Sequence, residues 1–385
     1  MNATTARQAD DLLAVHDIAA RFYQQRLPGS WAQDYLRHRG FGDGVQERWQ
    51  AGYAPAAWDA LTRHLRQAAC QDALILAAGL ARRSRRGTLI DTFRDRVMLP
   101  VRAANGRIVA FTGRAGGHAG SAVPRYLNSP GTAVYSKSRI LFGLAEAGNA
   151  LAAGAVPVIA EGPLDVLAVA SAGAGRYAPV APCGTALTAG HVAALDRACD
   201  LGSTGVLVAF DADLAGRRAA VSAYHLLGPA AGRVGAVAFP PGTDPAQVLR
   251  ERGPAGLADV LERRRMPLAD LVVNAEIVRW KRWLAYDEGR IGALRAIAPV
   301  IAAMPPPDVA RQVSRLAARL RLDPAAVTEA VTSALRDSRT PAPASAVASR
   351  DLPAGAAVAR HLGSDSGSPR PAAGPAGLAA RRIRR

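Results

Sequence analysis

The chain has 385 residues, which is enough to bury a sizeable core and to form two or three domains or subdomains. Its 48 Lys and Arg against 31 Asp and Glu give a formal net charge of +17, which favours a polyanionic partner such as nucleic acid, although a biased genome also produces such a composition. Cys70, Cys183 and Cys199 are too scattered for a disulfide framework or a CxxC-type zinc site, and they favour a reducing cytoplasm.

The first 150 residues mix helical and strand patterns. Apolar positions at helical spacing predict a helix over residues 8–26, and WAQDYLRHRGFG predicts a second helix closed by glycine. The stretch TFRDRVMLPVRAANGRIVAFTGR predicts two strands around an Asn-Gly hairpin turn at Asn105 and Gly106. The N-terminus has no basic start followed by an apolar core, so we predict no signal peptide. We expect residues 8–150 to form an α+β subdomain.

Residues 151–255 alternate short apolar strands with gaps long enough for helices. The predicted strands are 156–160, 177–182, 205–210 and 234–239. This alternation is typical of βαβ units around a buried parallel sheet, so we expect a compact, Rossmann-like α/β domain. Its most apolar stretch is interrupted by Glu161, Pro163 and Asp165, which argues against a membrane span and for a soluble protein.

The C-terminal part of the chain divides into a helical and a low-complexity segment. Four helical patterns with proline starts or caps predict an α-helical subdomain over residues 265–337. Residues 338–385 are dominated by Pro, Ala, Gly, Ser and Arg and end in LAARRIRR. Because this segment lacks the large apolar residues that offset the loss of chain entropy, we expect it to be a disordered basic tail.

Four acids gather at the ends of two predicted strands. Glu161 follows the first strand, and Asp165 lies about one turn into a helix that Pro163 is suited to begin. Asp211 and Asp213 follow the third strand and share a face if the chain stays extended there. Ligands of parallel α/β sheets gather at the carboxyl ends of strands, and clustered carboxylates need a cation, so we predict a divalent-metal site. Taken singly, each acid also has an ordinary interpretation as a loop residue, a helix cap or a solvated strand end.

These acids lie in motifs that carry a resemblance to a known family. EGPLD and FDADLAG resemble the metal-binding signature of the Toprim fold, which bacterial primases, topoisomerases and some nucleases share. The flanking stretches DTFRDRVMLPVRAANGRIVAFTGR, PRYLNSPGTAVYSKSRILFGLAEA, CGTALTAGHVAAL and FPPGTDPAQVLRERG resemble, in the same order, the catalytic core of bacterial replicative primase. The resemblance extends over about residues 10–330. It implies a Toprim domain flanked by an α+β N-terminal subdomain and an α-helical C-terminal subdomain.

The resemblance also implies roles for residues at matching positions. The implied metal ligands are Glu161, Asp165, Asp211, Asp213 and Asp244, of which Glu161, Asp211 and Asp213 are the implied catalytic acids. The implied contacts to nucleic acid or nucleotide are Arg125, Asn128 and Lys137, since Lys and Arg offer charge and Asn offers a neutral donor. Further candidates for such contacts are Thr185, Arg94 and Arg96, although arginines that flank a strand are often solvated surface.

The sequence departs from the family pattern in three places. Ala246 stands where the family often has a second acid after Asp-Pro, which removes one outer metal ligand. No CxxH or CxxC pattern occurs, so we expect neither a zinc ribbon nor bound zinc. The tail shows no helical pattern like the family's helicase-binding domain. We therefore expect a core without either accessory module.

The function that the resemblance implies is template-directed synthesis of short RNA primers on single-stranded DNA by two-metal nucleotidyl transfer. Mg²⁺ or Mn²⁺ is the expected cofactor, NTPs are the expected substrates, and a replicative helicase is a further expected partner, with no membrane. Two alternatives stay open: a Toprim nuclease, in which the metals activate water, and a non-catalytic replication protein that binds single-stranded DNA. Metal-dependent incorporation of NTPs separates the three.

Overall fold

The computed structural model of the chain describes residues 3–117, 119–120, 122–211 and 214–339. Asp213 lies outside these described residues, and so does the predicted tail from residue 340 onwards. In the described residues, no helix combines the length and the apolar character that a membrane crossing requires.

The N-terminal region begins with helices and continues into short strands. Its elements are α1 (Ala3–Gln24), α2 (Trp31–His38), α3 (Asp43–Arg48), β1 (Gly52–Ala54), α4 (Ala60–Gln67), α5 (Asp72–Ala77), β2 (Ala81–Arg83), β3 (Leu89–Asp91), β4 (Arg96–Arg102), β5 (Ile108–Ala115), β6 (Tyr126–Asn128), β7 (Leu141–Phe142) and α6 (Leu144–Ala152). Strands β1, β4, β5 and β6 form an antiparallel sheet in the order β1-β4-β5-β6. Strands β2 and β3 pair with each other as a separate antiparallel hairpin.

The predicted hairpin is confirmed as β4 and β5. The Ala103 N–H donates to the Arg107 carbonyl oxygen at 3.0 Å, and Gly106 has a φ of 81°, which glycine adopts without a steric penalty. The two predicted N-terminal helices are confirmed as α1 and α2. Buried Phe22 and Tyr23 of α1 belong to the same apolar cluster as Phe111 of β5, so this helix and the sheet share a core.

The middle region alternates strands and helices, as predicted. Its elements are β8 (Val156–Ala160), α7 (Pro163–Ala172), β9 (Tyr177–Pro182), α8 (Ala189–Cys199), α9 (Leu201–Thr204), β10 (Val206–Ala209), α10 (Leu214–Leu227), β11 (Val234–Val237), α11 (Pro245–Arg263) and β12 (Arg265–Pro267). Within the described residues, the strand order is β12-β11-β10-β8-β9-β7. The parallel sheet is confirmed for β8, β9, β10 and β11, whereas both edge strands, β7 and β12, are antiparallel.

The two faces of this sheet pack into different apolar clusters. Val158 and Ala160 belong to a cluster that also contains residues of α7, α11 and the N-terminal sheet. Ile159, which points to the opposite face, belongs to a cluster with α8, α10 and the C-terminal helices. The parallel sheet is therefore a central layer whose faces are covered by its own helices, together with the N-terminal sheet on one face and the C-terminal helices on the other.

The C-terminal region is helical, as predicted. Its elements are α12 (Leu268–Arg279), α13 (Asp287–Ala302), α14 (Pro306–Leu320) and α15 (Pro324–Arg339). Two details differ from the sequence interpretation. Residues 265–267 pair with β11 and so belong to the sheet, and α15 continues through residues 338 and 339, which were assigned to the tail. The subdomain boundaries at 150, 255 and 337 remain predictions.

Candidate active site

A cavity of about 280 Å³ lies at the carboxyl ends of β8, β9 and β10. Its acidic lining residues are Glu161, Asp165, Asp211 and Asp244. Its basic and polar lining residues are Arg39, Arg114, Arg125, Tyr126, Asn128 and Thr112. Four of the five predicted metal ligands therefore share one cavity with two of the predicted phosphate contacts, Arg125 and Asn128.

Glu161 and Asp211 are held together by the backbone. Glu161 is the first residue after β8, and Asp211 is the second residue after β10. The Asp211 N–H donates to Glu161 Oε1 at 2.9 Å. Because β8 and β10 are parallel neighbours, their carboxyl ends lie at the same edge, which is what brings these two acids into contact.

Asp165 and Asp244 are positioned by the helices α7 and α11. Pro163 begins α7 as predicted and places Asp165 in its first turn, where a negative charge is favourable. Asp244 is the N-cap of α11, and its Oδ1 accepts a hydrogen bond from the Gln247 N–H at 2.5 Å. The Ala246 N–H donates to Asp165 Oδ1 at 3.3 Å, so the residue that replaces the family's second acid still contacts the site through its backbone.

The crowding of these acids is visible in the pKa of Asp165. Its carboxylate lines the cavity, yet the surrounding protein desolvates it, and this desolvation raises its pKa well above the ordinary value. Neighbouring negative charges raise the pKa further, namely those of Asp244, Asp211 and Glu161. A hydrogen bond from the Ala246 N–H opposes the rise only in part. A nearby cation would reverse this effect, because it favours the ionised carboxylate.

The donor chemistry of the cavity fits a hard divalent cation, since carboxylate oxygens are the ligands that Mg²⁺ and Mn²⁺ prefer. In the described part of the chain, however, no group of three or more Asp, Glu, His or Cys side chains is arranged to hold a metal ion. Glu161, Asp165 and Asp244 each direct one oxygen to a backbone N–H, and the fifth predicted ligand, Asp213, is not described. The acids thus share a cavity without forming a complete ligand set among these residues.

Two arginines of the cavity, Arg39 and Arg114, are not among the residues predicted from the sequence. Arg39 follows α2, and its Nε donates to the Tyr35 hydroxyl at 2.9 Å. The guanidinium carbon of Arg114, on β5, lies 4.6 Å from the centroid of the Tyr35 ring. Both arginines are therefore oriented by the same aromatic side chain. The signal was present, since Arg39 lies in YLRHRGF and Arg114 ends FTGR, two stretches that match the family.

Asn128 and the loop after β9 approach closely because of a glycine. Gly184 has a φ of 69°, and a Cβ added there would lie 2.2 Å from Asn128 Nδ2. Both residues line the cavity, so a side chain at position 184 would displace the predicted phosphate contact. Thr185, the next residue, is exposed and is not part of the cavity lining.

Lys137 lies outside the cavity lining, in a segment that hydrogen bonds join to the start of α8. His191 Nε2 donates to the Lys137 carbonyl oxygen at 2.7 Å, and the Thr188 hydroxyl donates to the Ser138 carbonyl oxygen at 2.6 Å. A Cβ at Gly190 would lie 2.4 Å from that same Ser138 oxygen. The backbone that carries the half-buried Lys137 is thus fixed even though its ammonium group is not part of the cavity.

Arg94 and Arg96 have different surroundings. The guanidinium carbon of Arg94 lies 3.5 Å from the centroid of the Trp58 ring, and Trp58 is 62% exposed. Arg96 is buried, and its Nη1 donates to the carbonyl oxygens of Gly113 at 3.3 Å and Pro124 at 2.9 Å. Arg96 therefore supports the backbone beside Arg125, and its geometry does not favour the predicted direct contact with nucleic acid.

A parallel sheet whose carboxyl edge carries clustered acids is the arrangement of the Toprim class, and a family model described as Toprim-like matches residues 158–249. A second model, described as the N-terminal domain of the DNA primase catalytic core, matches residues 22–148. The RNA polymerase domain of Mycobacterium tuberculosis primase DnaG, solved in complex with a double-stranded DNA oligomer with a 6-nucleotide overhang, is 33% identical. That comparison covers 81% of this chain and 97% of the solved chain, with a TM-score of 0.67. The chain belongs to the DNA primase catalytic-core family.

Other relatives agree with this assignment. The DNA primase of Streptomyces coelicolor is 36% identical over 296 residues, covering 76% of this chain and 45% of that protein. The DNA primase of Deinococcus radiodurans is 34% identical over 326 residues, covering 84% of this chain and 55% of that protein. A DnaG primase catalytic domain bound to single-stranded DNA is 30% identical, with coverages of 83% and 99% and a TM-score of 0.65. The chain spans about half the length of the curated relatives that it matches.

Proposed function

We propose that this chain catalyses template-directed synthesis of short RNA primers on single-stranded DNA by metal-assisted nucleotidyl transfer. The observation that carries the proposal is the cavity in which Glu161, Asp165, Asp211 and Asp244 face Arg39, Arg114 and Arg125. Nucleotidyl transfer needs both features, because carboxylates hold divalent cations and guanidinium groups hold phosphates. The solved relatives with bound DNA support DNA as the template.

The acids are the proposed metal ligands. Glu161, Asp165, Asp211, Asp213 and Asp244 would hold Mg²⁺ or Mn²⁺, with Glu161, Asp211 and Asp213 as the catalytic acids. When bound, such a cation neutralises the phosphates of an NTP and lowers the pKa of the attacking 3′-hydroxyl. Through its Oε1, Glu161 also holds the Asp211 backbone, so it orients a second acid as well as contributing its own charge.

The basic residues are the proposed phosphate contacts. Arg125, Arg114 and Arg39 line the same cavity as the acids and are suited to bind the triphosphate or the template backbone, while Asn128 offers a neutral donor. Lys137, Thr185 and Arg94 lie outside the cavity and are proposed as contacts to nucleic acid farther from the acids. The helicase expected from the resemblance stays a prediction.

The test is metal-dependent incorporation of labelled NTPs on a single-stranded DNA template. We expect Asp211→Asn and Glu161→Gln each to abolish incorporation while the thermal unfolding midpoint stays close to that of the unaltered chain, because each change removes a charge with little change of shape. The matched control is Glu329→Gln, which neutralises an exposed glutamate on α15 and leaves incorporation unchanged.

The outcomes separate the proposal from its alternatives. Retained incorporation in both variants would refute the assignment of the acids. An unaltered chain that cleaves DNA but incorporates no NTP would be a nuclease. An unaltered chain that binds single-stranded DNA with neither activity would be a replication accessory protein.

A further inference from the structure

The hairpin of β2 and β3 presents a dense group of arginines. Its sequence ARRSRRG places exposed arginines at positions 82, 83, 85 and 86. The turn is closed by a hydrogen bond of 2.8 Å from the Ser84 N–H to the Thr88 carbonyl oxygen, and Gly87 takes a φ of 81°. The arginines therefore project from an ordered hairpin.

The base of the hairpin is fixed to the N-terminal region. Buried Asp91, the last residue of β3, accepts hydrogen bonds from the Leu61 N–H at 2.7 Å and from the Thr62 N–H at 2.9 Å. These donors lie at the start of α4, so one buried carboxylate joins the hairpin to a helix N-terminus. The Thr92 N–H adds a hydrogen bond of 2.9 Å to the Leu80 carbonyl oxygen. The arginines thus have a fixed attachment to the rest of the region.

The charges of the hairpin are mostly uncompensated. Arg83 lies near enough to Asp72 for their charges to interact, although Asp72 also accepts two hydrogen bonds of 2.8 Å from Arg66. Within the described residues, Arg82, Arg85 and Arg86 form no ion pair within 4.0 Å. Holding like charges this close together on one hairpin costs free energy, and a bound polyanion would remove that cost.

The segment that carries Arg94 and Arg96 lies near the charges of the hairpin and also contacts the backbone next to the cavity lining. Arg82 lies close enough to Arg94 for their charges to repel, and Arg94 stacks on exposed Trp58. Next along the chain, Arg96 donates to the carbonyl oxygen of Pro124, which precedes Arg125 in the cavity lining. A strand of nucleic acid on the hairpin would also have Arg94 and exposed Trp58 within its reach, whereas buried Arg96 supports the backbone.

We propose that Arg82, Arg85 and Arg86 form a second DNA-binding surface, which holds the phosphates of the single-stranded template outside the catalytic cavity. This proposal rests on the proposed function, since it takes the bound strand to be the template. Guanidinium groups on a hairpin tip bind phosphate oxygens without reading bases, so the surface binds DNA independently of its sequence.

The test compares two triple variants in binding a fluorescent oligothymidylate, measured by anisotropy without NTPs or metal. The first variant carries Arg82→Gln, Arg85→Gln and Arg86→Gln. The control variant removes the same charge from exposed arginines of the C-terminal region, through Arg282→Gln, Arg295→Gln and Arg319→Gln. Thermal unfolding of both variants verifies that they fold.

The expected result is a change in salt dependence that only the hairpin variant shows. Each lost phosphate contact lowers the slope of log affinity against log salt by about 0.7 for single strands, so three contacts lower it by about 2. The affinity advantage of the unaltered chain over the hairpin variant should therefore shrink roughly 20-fold as salt rises from about 50 to about 200 mM. The control variant should keep the slope of the unaltered chain.

Two results would overturn the proposal: an unchanged slope in the hairpin variant, or equal reductions in both variants, which would mean that overall charge alone binds the strand. Neither result depends on catalysis. A chain that incorporates no NTP but shows the expected difference between variants would refute the proposed function and leave the binding surface in place. A chain that incorporates NTPs but shows no such difference would refute the binding surface alone.

Discussion

Gly216, in the first turn of α10, packs directly against Asp211 and Glu161, which a hydrogen bond joins. A Cβ at this position would lie 2.1 Å from the Asp211 carbonyl oxygen and 2.7 Å from Glu161 Oε1. Ordinary van der Waals contact begins at 3.4 Å, so Gly216→Ala requires the Asp211 backbone and the start of α10 to separate by 3.4 − 2.1, or about 1.3 Å. We therefore expect the substitution to shift Asp211 and Glu161 relative to α10 without changing any charge.

The magnitude of the effect on stability is a balance of two contributions. Overpacking costs about 1–3 kcal/mol, and replacing a helical glycine by alanine stabilises by about 0.5–1 kcal/mol, so the net loss is at most about 2.5 kcal/mol. The effect on catalysis comes from the changed position of the acids, because a misplacement of about 1 Å lowers the rate on the order of 100-fold. We expect Gly216→Ala to remain folded and to lose about two orders of magnitude of NTP incorporation.

The assay combines NTP incorporation on a single-stranded template with unfolding in urea. The matched control is Gly148→Ala in α6, where an added Cβ meets no atom within 4 Å. This control should gain about 0.5–1 kcal/mol of stability and keep full incorporation. Incorporation by Gly216→Ala at the level of the unaltered chain would show that the position of Asp211 and Glu161 does not limit the reaction.

Three further predictions follow from features of the site and of the charge distribution. Burial lowers the pKa of His191 below its ordinary value of 6.5, so the stability that its neutral form contributes is present above pH 6.5 and is lost as pH falls through the lowered pKa. His191→Gln keeps the capping-box pattern with Thr188. Between pH 7.5 and 5.5, the free energy of unfolding in urea should fall less for this variant than for the unaltered chain. Equal falls would contradict this reasoning. Arg39→Gln and Arg114→Gln should each raise the KM for NTP or template, and unchanged KM values for both would place these arginines outside the phosphate path. Residues 341–385 carry seven arginines and two aspartates, so their deletion should weaken binding of single-stranded DNA at low salt. At saturating template, NTP incorporation should stay unchanged. Loss of incorporation there would mean that this segment takes part in catalysis as well as in DNA binding.

The sequence predicts the central sheet well because buried parallel strands appear as continuous apolar runs. The predicted bounds 156–160 and 177–182 are those of β8 and β9. Strands of two or three residues, such as β1, β6 and β7, are too short to show a period, so the sequence does not predict them. The antiparallel edges were missed because β7 and β12 join the sheet through tertiary contacts that sequence spacing does not encode.

In the site, too, the sequence predicts what the strand pattern sets and does not predict what tertiary packing sets. The shared position of Glu161 and Asp211 was predictable, because both follow strands that a parallel sheet places side by side. Arg39 and Arg114 line the cavity together with residues of the parallel sheet, and the spacing of residues around them does not predict this; only the match of YLRHRGF and FTGR to the family pointed to them. The family resemblance makes Arg96 a candidate, but it begins a strand that is buried along almost its whole length, and its Nη1 donates to backbone carbonyl oxygens.

The two covered faces of the parallel sheet have a consequence for the inheritance of this fold. Successive residues of β8 face different neighbours, with Val158 and Ala160 toward one cluster and Ile159 toward the other. A segment of residues 151–255 exchanged between two homologous genes would therefore have to match apolar partners along two seams at once. Exchanges inside residues 151–255 should therefore rarely give a stable fold, because each internal junction has to preserve the apolar packing on both faces of the sheet.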